Sequence, residues 1–415
     1  MFRSDVVHSK VSGTNLGMAL AALANAMVLI FAAALSQAQN LTVLHTFTGG
    51  ADGYEPYAGV TLDQQGRIYG TTIQGGIHDD GVVFRLVREG QGWAFSPIYS
   101  FGSQKDDGFN PVSRVVFGPG GLLYGTTSGG GSGGGGTVFS LQPPASACKA
   151  VLCPWVETIL YNFTGGADGG DPLYGDLSFD QAGNIYGTAA GGGSSGGGVV
   201  FKLIRSGSGW TESVIYNFTN GSDGGTPAAG VIFDGAGNLY GTTTEYGEHF
   251  LGTVYELSPT QSGWSETTLY SFTGDTGAGS GGLIWDAHGN LFGITGGFVG
   301  GNSAAYELTP QNGSWSFTLL QNFGDEYIGA LAAPTFDSHG ILYGSLPTVG
   351  QDFTGEIFQL TPSGDQWLYR SFYTFNGYNS SIPLGAVTFD ASGNMYGTGI
   401  GGGSDYDGTV WELTP

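Results

Sequence analysis

Basic residues and cysteines are scarce in this sequence, and each shortage excludes a class of function. Only 11 Lys and Arg stand against 34 Asp and Glu, which gives a net charge of -23. So acidic a surface repels phosphate backbones, and nucleic acid is therefore excluded as an expected partner. The two cysteines, Cys148 and Cys153, are too few to ligate a structural zinc ion. We expect them to form a disulfide across a short loop, because export to an oxidising compartment permits one.

Helical periodicity and catalytic motifs are also missing. Outside the N-terminus the sequence has no sustained apolar stripe at i, i+3 and i+4, which excludes a helical fold. It has no Gly-x-Ser-x-Gly elbow, no His-Glu-x-x-His and no phosphate-binding loop. The six arginines that follow residue 38 are scattered, so they form no cluster for a substrate carboxylate. The sequence therefore predicts no catalytic residue and favours a binding or scaffolding module over an enzyme.

The N-terminal segment differs in composition from the rest of the chain. Two basic residues precede a continuous apolar run at 16–35, which a single Asn interrupts, and residues 36–38 form a small-x-small pattern. This layout predicts a signal peptide over 1–38 and a mature domain over 39–415, secreted or held at the cell surface. The apolar run is long enough to span a bilayer, so an uncleaved membrane anchor is the alternative.

What the sequence has in abundance is glycine and aromatic residues, arranged in a repeat. It contains 79 Gly and 13% aromatic residues without a three-residue period, which is typical of short strands joined by tight turns. A Tyr-Gly or Phe-Gly pair recurs seven times at spacings of 55, 62, 54, 52, 51 and 53 residues. Each pair lies in a predicted β-hairpin such as 230–243, where a Gly- and Asn-rich turn joins two apolar runs. The pairs begin at Tyr69, Tyr124, Tyr186, Tyr240, Phe292, Tyr343 and Tyr396.

Each repeat contains four predicted strands, A to D. In the unit 58–101 they lie at 59–62 (A), 67–72 (B), 82–87 (C) and 93–101 (D). Four antiparallel strands in each of seven repeats predict an all-β fold, a seven-bladed β-propeller. A β-solenoid is the alternative, although its coils are usually shorter and its strands are not connected as hairpins.

The two ends of the sequence predict how the ring closes. The seventh unit supplies only strands A, B and C, whereas an extra strand lies at 41–47, before the first unit. We expect this N-terminal strand to pair with 408–413 as the outer strand of the seventh blade, which leaves no open blade.

Two residues of the repeat have predicted structural roles. Because blades stack face to face, the Gly of each Tyr-Gly pair should leave a slot for a side chain of the neighbouring blade. The Asp that ends strand A, such as Asp180 or Asp234, should cap its own turn.

These motifs together resemble a known family. The string Phe-Thr-Gly-Gly-x-Asp-Gly-x-x-Pro, followed by Gly-Asn-Leu-Tyr-Gly-Thr-Thr and by Gly-Thr-Val-Phe-x-Leu, is similar to the GloVer tandem repeat of secreted bacterial proteins. The resemblance covers nearly all of the mature chain, and units five and six depart from it because both lack the Asp-Gly-x-x-Pro loop. It implies an exported, often surface-attached protein, and it supplies no reaction and no catalytic residues.

Candidate binding residues lie in loops of one predicted face. In a four-stranded antiparallel blade the D-to-A and B-to-C loops emerge together, on what we call the loop face. Irregular loops on a rigid scaffold favour ligand binding. Asp52, Asp107, Asp168 and Asp223 recur at one position there, as turn formers or as oxygen ligands for cations. The irregular B-to-C loops add nine candidate ligand-binding residues: His78, Asp79, Asp80, Glu245, Glu248, His249, Asp405, Tyr406 and Asp407.

Closure of the ring makes the first and seventh blades neighbours. Asp79, Asp80, Asp405 and Asp407 would then approach one another and repel unless a cation such as calcium lay among them. The alternative is that the loops splay into solvent, and no other cofactor is predicted.

The sequence thus predicts a monomeric module at the cell exterior that binds an extracellular glycan or a surface protein. The alternative is a hydrolase or lyase that acts on polysaccharide through carboxylates of the loop face. Contact with a membrane is expected only through an uncleaved signal segment.

Overall fold

The computed structural model describes residues 39–144, 155–207, 209–296, 302–324, 332–348, 354–364 and 366–414, without the side chain of Ser280. The predicted signal peptide and the predicted disulfide of Cys148 and Cys153 lie outside these ranges. Residues 41–414 form one compact unit. Its described residues contain no α-helix and one 3-10 turn, Pro119–Gly121. Among them, no helix has the length and apolar character needed to cross a membrane.

The described residues form thirty β-strands. In chain order they are β1 (Asn40–Thr46), β2 (Thr61–Leu62), β3 (Ile68–Thr72), β4 (Val82–Glu89), β5 (Gly92–Ser100), β6 (Gly108–Phe109), β7 (Val116–Phe117), β8 (Leu123–Thr127), β9 (Gly129–Gly130), β10 (Thr137–Gln142), β11 (Val156–Asn162), β12 (Ser178–Phe179), β13 (Ile185–Ala189), β14 (Val199–Ser206), β15 (Gly209–Asn217), β16 (Ile232–Phe233), β17 (Leu239–Thr242), β18 (Thr253–Thr260), β19 (Gly263–Ser271), β20 (Ala278–Trp285), β21 (Leu291–Gly296), β22 (Ser303–Gln311), β23 (Ser314–Gly324), β24 (Thr335–Phe336), β25 (Leu342–Leu346), β26 (Glu356–Ser363), β27 (Gln366–Thr374), β28 (Thr388–Phe389), β29 (Met395–Gly399) and β30 (Thr409–Thr414).

The strands form seven antiparallel sheets of four, and each sheet is one blade. Blades 1 and 2 are β2-β3-β4-β5 and β7-β8-β10-β11, while β6 and β9 pair separately. Blades 3 to 6 each take the next four strands, from β12 to β27. Blade 7 consists of β28, β29, β30 and, as its outer strand, β1. The predicted closure by the N-terminal strand is therefore confirmed, and the Phe47 N–H continues it with a 3.0 Å bond to the Gly408 carbonyl.

The glycine of each Tyr-Gly pair makes room for an aromatic ring of the same blade. A Cβ added to Gly187 would lie 2.6 Å from Cζ of Phe201, the residue directly opposite on strand C. The predicted slot exists. At Gly187 its occupant comes from the paired strand, whereas at Gly344 the nearest atom is Cδ1 of Ile294 in the neighbouring blade 5, at 2.5 Å. The seven pairs are Gly70–Phe84, Gly125–Phe139, Gly187–Phe201, Gly241–Tyr255, Gly293–Tyr306, Gly344–Phe358 and Gly397–Trp411.

The neighbouring residues of the same motif join one blade to the next. The Tyr69 ring packs edge-on against Trp155 of blade 2, with ring centroids 5.9 Å apart. The Thr71 hydroxyl donates a 3.0 Å hydrogen bond to the Ser113 carbonyl of blade 2. Equivalent hydroxyl bonds to the following blade are made by Thr188, Thr242, Ser345 and Thr398. The Tyr-Gly-Thr motif recurs because it performs the same two packing tasks in successive blades.

The aspartate at the end of strand A caps its turn, as the sequence predicts. Oδ1 of Asp180 accepts hydrogen bonds from the backbone N–H groups of Ala182 at 3.0 Å and Asn184 at 2.9 Å. The same pair of bonds is made by Asp63, Asp234, Asp286, Asp337 and Asp390.

Replacing Gly187 by Ala is expected to destabilise the protein. The new Cβ would press on Phe201 and also lie 3.0 Å from Leu177, so overpacking should cost about 1–3 kcal/mol. The melting temperature, followed by circular dichroism, should fall by roughly 2–4 °C per kcal/mol. Gly235→Ala is the control, because nothing lies within 4 Å of its added Cβ and its φ is not positive. Equal melting temperatures for the two variants would contradict the packing role.

Candidate functional site

The inner strands of all seven blades surround a central channel with a cavity of about 300 Å³. One position of strand A, four residues before its turn, faces this cavity in every blade. It is Gly or Ala in five blades, which keeps the channel open, and a charged residue in the two others. Blade 2 places Arg114 there and blade 3 places Asp176, whereas the small residues are Gly59, Gly230, Gly282, Ala333 and Ala386.

Arg114 and Asp176 form an ion pair inside the channel. Arg114 Nε donates to Asp176 Oδ2 at 3.0 Å, and Nη2 donates to the same oxygen. Arg114 Nη1 reaches Thr388 Oγ1 of blade 7 at 3.4 Å. The carboxylate of Asp176 raises the pKa of the Arg114 guanidinium. The two side chains remain 27% and 36% exposed, so both charged groups face the open cavity.

Two tyrosines lie two residues before this position and line the same cavity. The rings of Tyr57 in blade 1 and Tyr174 in blade 3 are nearly parallel, at 13°, with centroids 6.3 Å apart. Blade 2 has the smaller Val112 at the equivalent position. Burial raises the pKa of both phenols. The channel thus combines one ion pair with two aromatic rings on the side of blades 1 to 3.

The irregular B-to-C loops hold large side chains in a backbone conformation that normally requires glycine. The third residue before strand C has a positive φ in five blades, and it is Gly134 in blade 2 and Gly196 in blade 3. The same position is Asp79 in blade 1, Phe250 in blade 4 and Tyr406 in blade 7, with φ of 66°, 63° and 65°. For a bulky residue this conformation is strained. Even so, the Phe250 and Tyr406 side chains are 71% and 66% exposed.

Tyr406, one of the predicted binding residues, borders a groove on the loop face. The groove has a volume of about 380 Å³, and Tyr378, 74% exposed, lies on it as well. Thr46, Asn379 and Ser404 supply polar groups to the same groove. Two exposed rings and three polar side chains therefore share one surface, formed largely by blade 7 and its β1 strand.

The four predicted calcium ligands are not brought together as a set. Asp79 Oδ1 accepts a 3.0 Å hydrogen bond from the Gly75 N–H, and Asp405 Oδ2 accepts one of 2.8 Å from Ser404. Within the ranges that the structure describes, no three His, Cys, Asp or Glu side chains are placed to hold a metal ion together. Asp79 and Asp405 bond within their own loops, whereas the Asp80 carboxylate lies against Gly102 and that of Asp407 lies against Gly49. Calcium binding stays a prediction.

The B-to-C loop of blade 7 instead meets the D-to-A connection that leads from β1 into blade 1. The Glu55 N–H donates a 3.0 Å bond to the Asp407 carbonyl. Tyr54 lies close to this contact. Burial is the largest cause of its raised pKa, and the negative charges of Asp79, Glu55 and Asp407 raise the pKa further. His78 and Asp80 lie beside Gly102, in the loop that follows strand D of blade 1.

The predicted residues of blade 4 stand apart from this meeting point. Glu245 forms a backbone bridge with Gly225, and the Glu248 N–H donates a 3.2 Å bond to Ser271 Oγ. His249 is exposed. Blade 4 is three blades away from both blade 7 and blade 1 in the ring, so its loop is not joined with theirs.

The recurring aspartates of the D-to-A loops hold their own loops together. Asp168 Oδ2 accepts hydrogen bonds from the Thr164 N–H at 2.9 Å and the Tyr161 hydroxyl at 3.1 Å. Asp52, Asp107 and Asp223 make the same kind of bond to a backbone N–H. This geometry is that of a turn former. Turn formation was one of the two roles predicted for these aspartates, and cation binding was the other.

Two glutamates beside these aspartates, the buried Glu157 and the half-buried Glu212, were not anticipated from the sequence. The Tyr99 hydroxyl lies 2.7 Å from Asp107 Oδ2 and 3.1 Å from Glu157 Oε2, and one hydroxyl proton cannot serve both carboxylates. Burial and then the charge of Asp107 raise the pKa of Glu157 to about 8. Burial and then Asp168 raise that of Glu212 to about 7. The sequence signal is a Trp-x-Glu at the start of strand D, found in blades 2, 3 and 4 only.

Seven four-stranded blades around a channel define the class of the molecule, a seven-bladed β-propeller. The chain belongs to the Gloeobacter/Verrucomicrobia repeat family, whose sequence model matches residues 3–153 and 154–333. The resemblance to the GloVer repeat is thereby confirmed. No curated protein matches the chain.

Solved structures resemble this chain at low sequence identity. PorZ, a bacterial surface component of the type-IX secretion system of Porphyromonas gingivalis, is 14% identical with a TM-score of 0.52 over 90% of this chain and 48% of its own. An ulvan lyase from a new polysaccharide lyase family is 14% identical with a TM-score of 0.48, over 87% of this chain and 94% of its own. A protein of unknown function from Dyadobacter fermentans is 11% identical with a TM-score of 0.44, over 90% and 98% of the two chains. These similarities concern the fold alone.

Proposed function

We propose that this protein is a binding module at the cell exterior, and that its loop face binds a neutral glycan. The proposal rests on the exposure of the Phe250 and Tyr406 side chains. Both stand exposed at loop positions where blades 2 and 3 have glycine, and both have a strained, left-handed backbone. Such strain persists where the surrounding structure imposes it, and it clusters at binding sites.

The groove beside Tyr406 has the chemistry that sugars require. A pyranose ring has apolar C–H faces, which pack on aromatic rings, and hydroxyl groups at its edge, which need hydrogen bonds. Tyr378 and Tyr406 offer exposed rings, and Thr46, Asn379 and Ser404 offer hydroxyl and amide groups. Ligand sites commonly combine aromatic surface with a few polar groups in this way.

The net charge of the protein supports a neutral ligand, and its family supports a location at the cell exterior. The net charge of -23 disfavours an anionic polysaccharide, so the glycan is expected to be neutral. Location at the cell exterior is supported by the Gloeobacter/Verrucomicrobia repeat, since the resemblance to that family implies export.

Substituting Tyr406 or Tyr378 by Ala is expected to weaken glycan binding. The purified protein is first screened on an array of neutral glycans, and the affinity for the best ligand is then measured by calorimetry. Loss of one stacked aromatic ring should reduce affinity roughly tenfold, which corresponds to about 1.4 kcal/mol. Val156→Ala is the control, because Val156 is similarly exposed but lies on the outer strand of blade 2.

The outcomes separate this function from the alternatives. An array without any bound neutral glycan, or a Tyr406→Ala variant with unchanged affinity, would contradict the proposal. Recovery of the ligand in shortened form would instead indicate an enzyme that acts on polysaccharide.

A further inference from the structure

We propose that the central channel is a second binding site, distinct from the groove, and that it takes a single neutral sugar unit. The cavity of about 300 Å³ lies at the lower end of the range of about 300–1,000 Å³ found for small-molecule sites. It suits one ring rather than a chain of several sugars. The unit is either a free monosaccharide or the end of a longer glycan, which share the same chemistry.

The blades do not need this ion pair in order to pack around the channel. Five blades have Gly or Ala at the position of Arg114 and Asp176. The blades approach closely there: a Cβ at Gly59 would lie 2.2 Å from the Ala386 carbonyl oxygen, and one at Gly230 would lie 2.3 Å from that of Asp176. Small residues therefore fulfil the packing requirement, and the two charged side chains extend into the cavity beyond it.

The pair presents a donor and an acceptor side by side. Arg114 uses Nε and Nη2 for Asp176, and its Nη1 makes only the long 3.4 Å contact with Thr388. Among the described residues, Asp176 Oδ1 receives no hydrogen bond. Adjacent hydroxyls of a sugar are each donor and acceptor, so they match a guanidinium beside a carboxylate. Because the two charges cancel, the site favours a neutral ligand over an ion.

The tyrosines complete the site on the side of blades 1 to 3. Within the described part of the chain, the hydroxyls of Tyr57 and Tyr174 make no hydrogen bond, and both rings line the cavity. Their faces supply apolar surface and their hydroxyls supply further polar partners for a sugar. Rings, ion pair and open volume thus occur together where strand A of blades 2 and 3 departs from the Gly or Ala of the other five blades.

The test measures binding of D-glucose, D-galactose, D-mannose and L-rhamnose by calorimetry and by the ligand-induced rise in melting temperature. Two variants target the channel. Arg114→Leu combined with Asp176→Leu removes both charges together, which leaves no lone charge and preserves folding. Ala386→Leu, at the same position in blade 7, fills the cavity. We expect wild type to bind at least one sugar saturably, and both channel variants to bind it roughly tenfold or more weakly.

The groove variant Tyr406→Ala is the matched control and should bind the monosaccharide as wild type does. Loss of glycan binding by Tyr406→Ala and loss of monosaccharide binding by the channel variants are independent results. Either proposal can therefore fail without the other. Oligosaccharides of the same sugar identify the source: weaker oligosaccharide binding by the channel variants indicates a chain end, and unchanged binding indicates a free sugar. Absence of saturable binding by all four sugars would overturn the proposal, as would wild-type affinity in the doubly substituted variant.

Discussion

Deleting residues 39–48 is expected to cause the largest loss of stability, because it removes the strand that closes the ring. β1 is the outer strand of blade 7, and Phe47, which directly follows it, is fully buried with Phe84 and Val60 of blade 1. The deletion exposes the edge of β30 and opens this contact between blades 7 and 1. The loss should exceed the ~3–5 kcal/mol that is typical of truncating one buried Phe to Ala.

Melting temperatures of three variants measure this effect. Phe47→Ala, which keeps the strand but removes its buried ring, should melt between wild type and the deletion variant. Asn40→Ala, at an exposed position of β1, should melt as wild type does. A deletion variant with unchanged thermal unfolding would contradict the closed ring.

Stability is also expected to fall as pH rises from about 5 to about 8. The pKa of Glu157 is raised to about 8 and that of Glu212 to about 7, while that of Glu266 is raised as well. A carboxyl group with a raised pKa in the folded state favours folding while it is protonated, and this contribution is lost as pH rises through the folded pKa. The slope is at most about 1.4 kcal/mol per pH unit for each such group.

The turn aspartates limit stability on the acid side. Burial tends to raise the pKa of Asp180, but hydrogen bonds from Asn184 and Tyr186 and the charge of Lys202 lower it overall. Asp63, Asp168 and Asp390 also have lowered pKa values. Their contribution is present above the unfolded pKa of about 4 and is lost as pH falls below it. The greatest stability is therefore expected near pH 5.

Chemical denaturation across this pH range tests the glutamates directly. Glu157→Gln should be more stable than wild type at pH 8 and should vary less between pH 5 and pH 8, because a neutral amide replaces a carboxyl group that must ionise. Glu89→Gln, at an exposed position of β4, should follow the wild-type profile. A Glu157→Gln profile parallel to that of wild type would refute the role of this residue.

The fold could be predicted from the sequence because most blades make the same packing contacts with the same residues. A glycine opposite an aromatic ring, a turn aspartate and a threonine that donates to the next blade recur in fixed order, so one unit explains the others. Closure followed from counting strands at the two ends. The side chain that fills each glycine slot was harder to predict. Phe201 of the same blade fills the slot at Gly187, and the spacing of the repeat alone does not show this.

The channel could not be predicted for the opposite reason, since its polar residues are departures from the repeat. Arg114 and Asp176 emerge only when strand A is aligned on its turn, and in blade 2 that turn has Gly118 in place of the usual Asp. The acidic loops posed a different difficulty. Irregularity identified Asp79 and Tyr406, but side-chain direction depends on local bonds such as that between Asp79 and Gly75.

Because β1 closes the ring, it also determines the order in which the blades can be completed. The first strand of the domain pairs with β30, the last strand that the structure describes. A chain that crosses a membrane from its N-terminus would therefore carry an unpaired strand until its final blade has followed. Six blades can form in sequence from local hairpins, whereas the seventh needs the most distant contact in the chain, which is the slowest kind to form. The ring therefore stays open until β30 has been synthesised, because β1 has no partner before then.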